Sequence, residues 1–164
     1  MDALEALRTR RSCRKFAARE VSRDLIEKVV DAGRLAATAR NEQPWEFVAV
    51  TDKAALRHLG GVADHGPFIA DCAACIAVMA KDTKYYLEDG SAATQNLLLA
   101  AHALGLGSCW VAGDKKPYAP VVVEYLGAPA AMRLVALVAL GWPGGALPNP
   151  AKRTLGEVLH WGKF

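Results

Sequence analysis

The sequence predicts one domain of mixed helix and strand, and three observations support this. The chain has 164 residues, of which 52% are hydrophobic and 23% are charged, a composition that can bury a sizeable core without a disulfide or a structural metal. Some segments carry apolar residues at helical spacing, whereas others are short apolar runs typical of buried strands. No repeat or low-complexity linker divides the chain, so we expect one domain over residues 1–164.

In the first half of the chain, helices and strands are predicted to alternate. A short amphipathic helix covers residues 2–8, and Ser22 can cap a second helix with one apolar stripe that ends near residues 37–40. Pro44 excludes helical geometry at the preceding residue, and the EFVAV shortly after it has high strand propensity. DKAALRHLGG is then a short helix closed by glycine, and ACIAVMA is a second strand.

The second half begins with the most informative helix, predicted over residues 90–104. Its core, SAATQNLLLAAHAL, is apolar on nearly every face, so every face should be buried. Either it is the central helix of the domain, or part of it packs against a second subunit, and the sequence leaves both open.

The remaining elements follow from glycine, proline and apolar runs. Gly105 and Gly107 end the helix, and SCWVAG is a short strand. KKPYAPVVVEYLG is a helix with Pro120 near its first turn, and RLVALVAL is a fully buried strand. The tail from residue 148 is extended and then briefly helical.

Charge and motifs argue against several classes of protein. Lys and Arg number 20 against 17 Asp and Glu, too small an excess to predict a nucleic-acid partner. No apolar run is long enough to span a membrane and the first residues lack the core of a secretory signal, so we expect a cytoplasmic protein with no membrane partner. Walker A, H-E-x-x-H and G-x-S-x-G motifs are absent, which gives no support to hydrolytic or nucleoside triphosphate chemistry.

The four cysteines include a C-x-x-C at Cys72 and Cys75. DCAACIAVMA is predicted as a strand, in which residues three apart point to opposite faces. These thiols are therefore expected to be buried and structural rather than a redox pair. The four histidines are scattered without paired spacing, so no metal site is predicted.

The densest positive charge lies in RTRRSCRKF, residues 8–16. If the first helix ends near Thr9, the chain continues extended, and alternation brings Arg10, Ser12 and Arg14 to one side. Two guanidinium groups and a hydroxyl there would suit a phosphate. The alternative is a solvated run of charge, which composition alone favours.

Five motifs occur in the order RRSCRKF, ARNEQPWEFVAV, QNLLLAAHALGLGSCWVAG, RLVALVALGWP and KRTLGEVLHW. Together they resemble the nitroreductase family of FMN-dependent oxidoreductases over nearly the whole chain. The resemblance implies an α+β fold in which helices flank a mainly antiparallel central sheet. It also implies an intertwined homodimer with FMN at the subunit interface.

The implied activity is ping-pong transfer of hydride from NAD(P)H, through flavin N5, to a small organic acceptor such as a nitroaromatic or a quinone. Two alternatives stay open. One is a flavin protein of this fold that uses no nicotinamide, as in relatives that fragment flavin or dehalogenate aromatics. The other is a non-enzymatic module that binds flavin, or that contacts a polyanion through its basic N-terminus.

The resemblance assigns roles to the basic stretch. Arg10 and Ser12 match residues that hold the FMN phosphate, and Arg11 matches a neighbour along the ribityl chain and ring. Arg14 matches the cation at the N1 and C2 carbonyl edge of the flavin. Arg14 is the residue expected to be catalytic, because negative charge gathers at that edge on reduction.

Three further segments complete the implied site. The segment that reaches across from the other subunit is matched by Ala37, Thr38, Ala39 and Asn41, with Ala37 and Thr38 standing where many relatives have Pro-Ser. The strand beside the isoalloxazine ring is matched by Trp110, Val111, Ala112 and Gly113, whose backbone N–H groups are expected to contact N5 and O4. Lys152 or Arg153 matches a basic residue that closes the phosphate pocket.

Overall fold

Five α-helices and four β-strands make up the structure, a computed structural model that describes residues 1–164. The helices are α1 (Ala3–Thr9), α2 (Arg23–Arg34), α3 (Lys53–Val62), α4 (Tyr86–Ala103) and α5 (Ala119–Tyr125). The strands are β1 (Trp45–Val50), β2 (Ala74–Lys81), β3 (Gly107–Ala112) and β4 (Met132–Gly141). Short 3₁₀ turns lie at Ala39–Asn41, Pro67–Asp71 and Leu155–Glu157. None of the helices combines the length and apolar character that a membrane crossing requires.

The strands form one sheet in the order β1-β2-β4-β3, and every neighbouring pair is antiparallel. The two central strands, β2 and β4, are buried along nearly their whole length. Because the side chains on both faces of these strands are covered, their sequences are continuous apolar runs. The predicted α+β fold with an antiparallel sheet is confirmed.

Helices cover both faces of the sheet, and alternation along β2 separates two cores. Met79 faces a cluster that includes Leu56 of α3 and Val122 of α5. Ile76 faces the other cluster, with Val29 of α2 and Leu97 of α4. The apolar α4 is thus packed between α2 and the sheet, and seven of its residues are buried.

Three helix boundaries differ from the prediction. The second helix ends at Arg34 rather than near residues 37–40. In α3, Gly60 lies inside the helix and not at its end. Glycine is needed there because an added Cβ would lie 2.9 Å from the backbone nitrogen of Ala70. The most apolar helix begins at Tyr86, one turn before Gly90, and Gly90 is an interior residue that packs tightly on β4. In these two helices, glycine serves close packing rather than chain reversal.

All four cysteines are free and buried, as predicted for structural thiols. Cys72 and Cys75, however, lie in the same core cluster rather than on opposite faces. The reason is that Cys72 follows the 67–71 turn and precedes β2, so strand alternation does not apply to it. Burial raises the pKa of Cys72 to about 11 and that of Cys75 well above its usual range. Both are protonated thiols at neutral pH.

Candidate functional site

The N-terminal segment, residues 10–17, follows α1 and lies along the outer edge of β3. Ser12 forms a parallel bridge with Ser108 of β3. Further along, Gly144 donates its N–H to the carbonyl of Lys15 at 2.8 Å. Backbone contacts therefore fix the segment near both ends.

Two glycines allow this close approach. A Cβ added at Gly107 would lie 2.6 Å from Sγ of Cys13. At Gly144 it would lie 2.8 Å from the carbonyl carbon of Phe16. Any side chain at either position would push the segment away from the sheet.

Arg10, Ser12 and Arg14 gather around Cys109 of β3. Burial raises the pKa of the Cys109 thiol, and the positive charge of Arg14, a hydrogen bond with Ser12 and the charge of Arg10 partly offset that rise. Arg10, Ser12 and Arg14 thus all lie close enough to Cys109 to influence its thiol. None of the ion pairs in the structure includes Arg10 or Arg14. Two guanidinium groups without carboxylate partners, close to a hydroxyl, suit an anionic ligand.

The residue before this group is held in place by α4. The hydroxyl of Thr9 donates to the carbonyl of Glu5 at 2.7 Å and lies 2.8 Å from Nε2 of His102. Burial, with the charges of Arg10 and Arg11 as further causes, lowers the pKa of His102. A neutral His102 can donate to Thr9 and so fixes the end of α1 just ahead of Arg10.

Arg11 has different partners from its neighbours. Its Nε donates to Oδ1 of Asn149 at 2.6 Å, and a terminal nitrogen donates to the carbonyl of Arg8 at 2.8 Å. The contact with Asn149 brings the C-terminal tail beside the N-terminal segment. In that tail the guanidinium of Arg153 donates to the carbonyl of Glu157, and neither Arg153 nor Lys152 makes an ion pair.

The outer edge of β3 directs the backbone groups of alternate residues away from the sheet. Ser108 directs its carbonyl outward, where it accepts the N–H of Cys13 at 2.9 Å. Because backbone groups alternate along an antiparallel strand, Trp110 and Ala112 also point theirs away from β4. The carbonyl of Ala112 accepts the hydroxyl of Tyr118, which agrees with this orientation.

The intervening residues point the other way. Gly113 donates its N–H to the carbonyl of Val135 in β4 at 3.0 Å, and Val111 faces the same side by alternation. Of the four residues predicted to offer backbone donors, only Trp110 and Ala112 therefore direct an N–H outward.

The segment of residues 37–43 has a strained backbone. Arg40, Asn41 and Gln43 have φ values of 55°, 57° and 47°, in the left-handed region that disfavours residues other than glycine. Nε2 of Gln43 donates to Oδ1 of Asn41 at 3.1 Å. Clustered strain of this kind occurs at ligand clamps and active sites.

A buried carboxylate on α4 holds this segment. Asp89 is 4% exposed and accepts the hydroxyl of Thr38 at 2.7 Å and the N–H of Ala39 at 3.0 Å. Sequence alone did not single out Asp89, because the predicted helix began one residue later. Its only signal is an acid next to a glycine at the start of the most apolar stretch.

The predicted residues thus form two groups. Arg10, Ser12 and Arg14 lie together at the edge of β3, with the outward N–H groups of that strand. The 37–43 segment is bound to α4, and no hydrogen bond or ion pair joins it to those three residues within the chain. Within one chain, the two groups are thus bonded to different elements, the first to β3 and the second to α4.

Comparisons with known proteins agree with one another. The family model described as Nitroreductase family matches residues 7–65 and 62–142. A Methanothermobacter thermautotrophicus protein provisionally named an NADH dehydrogenase/NAD(P)H nitroreductase is 41% identical over 67% of this chain, and the match spans 60% of that relative's length. An Archaeoglobus fulgidus protein of the same provisional name is 37% identical over 87% of this chain and 86% of its own.

Two solved structures share the fold over nearly the whole chain. One is a Bacteroides thetaiotaomicron protein with the same provisional name, with a TM-score of 0.93, 27% identity and coverage of 99% of this chain and 98% of that chain. The other is a Desulfovibrio desulfuricans protein, provisionally named a nitroreductase and solved in complex with FMN. It has a TM-score of 0.86, 28% identity and coverage of 100% of this chain and 99% of that chain.

Proposed function

The chain belongs to the nitroreductase family, and from that premise we propose that it is an FMN-dependent oxidoreductase. It takes hydride from NAD(P)H and passes it to a small organic acceptor such as a nitroaromatic or a quinone. The observation that carries this proposal is the convergence of Arg10, Ser12 and Arg14, free of carboxylate partners, on the edge of β3. Residues 1–164 act as one FMN-binding domain.

The donor set fits the two ends of FMN. Arg10 and Ser12 would hold the phosphate, since guanidinium and hydroxyl groups are its usual ligands. The contact between Arg11 and Asn149 keeps the tail close. Because the guanidinium of Arg153 is bonded to the carbonyl of Glu157, Lys152 is the tail cation we assign to the phosphate. Arg14 and the outward N–H groups of β3 would hold the polar edge of the ring.

When bound, FMN would supply the two-electron chemistry that side chains lack. Arg14 contributes a permanent positive charge, because a guanidinium does not lose its proton in a protein. A fixed cation aimed at the ring edge where negative charge gathers favours reduction without any proton transfer by the protein. The N–H groups of Trp110 and Ala112 would orient the ring, because a paired strand holds them rigidly.

We propose that the active form is a homodimer with an FMN at each shared site, and two features support this. Several large apolar side chains are exposed on α1, after α2 and on the tail: Leu4, Leu7, Leu35, Leu155, Val158, Leu159, Trp161 and Phe164. Exposed apolar groups in such number are typical of surfaces that a partner covers. The 37–43 segment also shares no hydrogen bond with Arg10 or Arg14 of its own chain, and we assign it to the site of the second subunit.

Anaerobic half-reactions test the proposal. FMN-loaded protein should lose its visible flavin absorption when NADH or NADPH is added. After removal of the nicotinamide, a quinone or a nitroaromatic should restore that absorption. Flavin that is reduced by dithionite but by neither nicotinamide would contradict the activity and favour a flavin protein that does not use nicotinamide.

A further inference from the structure

We propose that Asp89 is a positioning residue for the flavin site, acting through Thr38 on the 37–43 segment. The inference rests on the proposed function, because it assigns that segment a part in holding FMN. It gives Thr38 a role within the protein rather than at the cofactor.

The bonding of Asp89 is the first observation. Its side chain is 4% exposed, and it takes part in none of the ion pairs. Its two oxygens accept one hydrogen bond each, Oδ2 from the hydroxyl of Thr38 and Oδ1 from the N–H of Ala39. A buried carboxylate without a cation depends on such donors. If the segment moved away from α4, the charge of Asp89 would stay buried without hydrogen-bond partners. Its place in the first turn of α4 adds the positive end of the helix dipole.

The second observation is how the hydroxyl of Thr38 is used. It donates its only proton to Asp89 and accepts the N–H of Gln43 at 3.0 Å. Thr38 therefore joins the beginning of the segment to its end and to α4. Its hydroxyl has no proton left to donate to a cofactor.

The third observation is the strain that these bonds enclose. The left-handed residues Arg40, Asn41 and Gln43 all lie between or at the contacts made by Thr38. Such conformations persist only where the surroundings over-determine them. Asp89 and Thr38 supply that restraint, and the outcome is an exposed turn that carries Asn41.

Thr94 of the same helix provides a matched control for the loss of a buried hydroxyl. Thr94 is fully buried in α4, and its hydroxyl donates to the carbonyl of Gly90 at 2.7 Å. That hydroxyl makes no hydrogen bond to the 37–43 segment. Thr94→Val therefore removes a buried hydroxyl of α4 without affecting the segment.

The test compares Thr38→Val, Thr38→Ser, Asp89→Asn and Thr94→Val by FMN titration of the apoprotein and by urea unfolding. Thr38→Val should weaken FMN binding about tenfold or more, as expected for losing a hydrogen bond to a charged group. Its unfolding midpoint should also fall, because Asp89 loses a donor, and Thr94→Val shows what the loss of a buried hydroxyl of α4 does to FMN binding by itself. Thr38→Ser, which keeps the hydroxyl, should bind FMN like the wild type, and Asp89→Asn should bind it more weakly.

The inference is overturned if Thr38→Val binds FMN as tightly as the wild type, whatever happens to its stability, or if Thr38→Ser is as impaired as Thr38→Val. The Thr38 pair decides the matter even if Asp89→Asn does not fold. Wild-type protein that binds no FMN would overturn the proposed function and this inference together. Failure of the variants alone, with a wild type that does bind FMN, leaves the proposed function standing.

Discussion

Arg10 offers the sharpest test at the scale of single residues, because FMN and riboflavin differ only by the phosphate it is proposed to bind. Arg10→Ala should weaken FMN binding by about 1.5–3 kcal/mol, the usual contribution of a hydrogen bond to a charged group. Riboflavin binding should change little. Parallel titrations of the apoprotein with both ligands give this comparison. Arg8→Ala, which removes an exposed cation of α1, is the control, and equal losses for FMN and riboflavin would remove Arg10 from the phosphate site.

The C-x-x-C thiols should be inert in the folded protein. With a pKa of about 11 for Cys72, roughly one part in a thousand is thiolate at pH 8. A disulfide-exchange reagent at pH 8 should therefore react with these thiols only after denaturant is added. The unfolded thiols ionise near pH 8.5, so their contribution to the free energy of unfolding is present below that pH and is lost as the pH rises toward 11. Replacing Cys72 and Cys75 with Ala should leave turnover intact, and its loss with flavin retained would make them redox groups.

Residues whose roles depend on local geometry could be predicted from sequence, and residues with distant partners could not. The extended backbone after Thr9 places Arg10, Ser12 and Arg14 on one side by alternation alone. The partner of Arg11 is Asn149, 138 residues further along the chain, and no local pattern indicates such a contact.

Among the helices and strands, α4 depends most on its glycine. A Cβ at Gly90 would lie 2.7 Å from Cγ2 of Val135, a stiff, buried, β-branched side chain. Overpacking of this kind costs about 1–3 kcal/mol, against roughly 1 kcal/mol that alanine gains over glycine inside a helix. Gly90→Ala should therefore lower the free energy of unfolding in urea. In α3, a Cβ at Gly61 would meet nothing within 4 Å, so Gly61→Ala should raise it, and a gain for both variants would contradict the packing of α4 on β4.

The regular elements were predictable because their patterns are local. Ser22 caps α2 and Pro120 opens α5 as expected, and the buried strands follow from their apolar runs. Gly105, with φ of 79°, follows the end of α4 as expected. The roles of Gly60 and Gly90 were not predicted, since the sequence does not distinguish a glycine that ends a helix from one that lets two elements touch. Asp89 escaped prediction for the same reason, because the start of α4 was assigned to Gly90.

At the scale of the whole molecule, the shared site predicts that two inactive variants can rescue each other. One parent carries Arg10→Glu and Arg14→Glu, and the other carries Ala37→Glu and Asn41→Asp, two exposed residues of the 37–43 segment. Each homodimer has two damaged sites and should lose FMN through lost donors and charge repulsion. In a mixed dimer both sets of changes fall in one site, which leaves the other site intact. Refolding the parents together should restore FMN binding and NAD(P)H oxidation.

Differently tagged chains would verify that mixed dimers have formed. A mixture of wild type with either parent serves as the control for activity after refolding. Verified mixed dimers that remain inactive, while the control mixtures are active, would place the whole site within one subunit.

The absorption spectrum of the purified protein addresses the central claim most directly, namely that the edge of β3 is an FMN site. We predict a flavin spectrum, and heat denaturation should release the flavin as FMN rather than FAD. A colourless preparation should acquire that spectrum when FMN is added. A colourless protein that remains so in the presence of FMN would contradict the account.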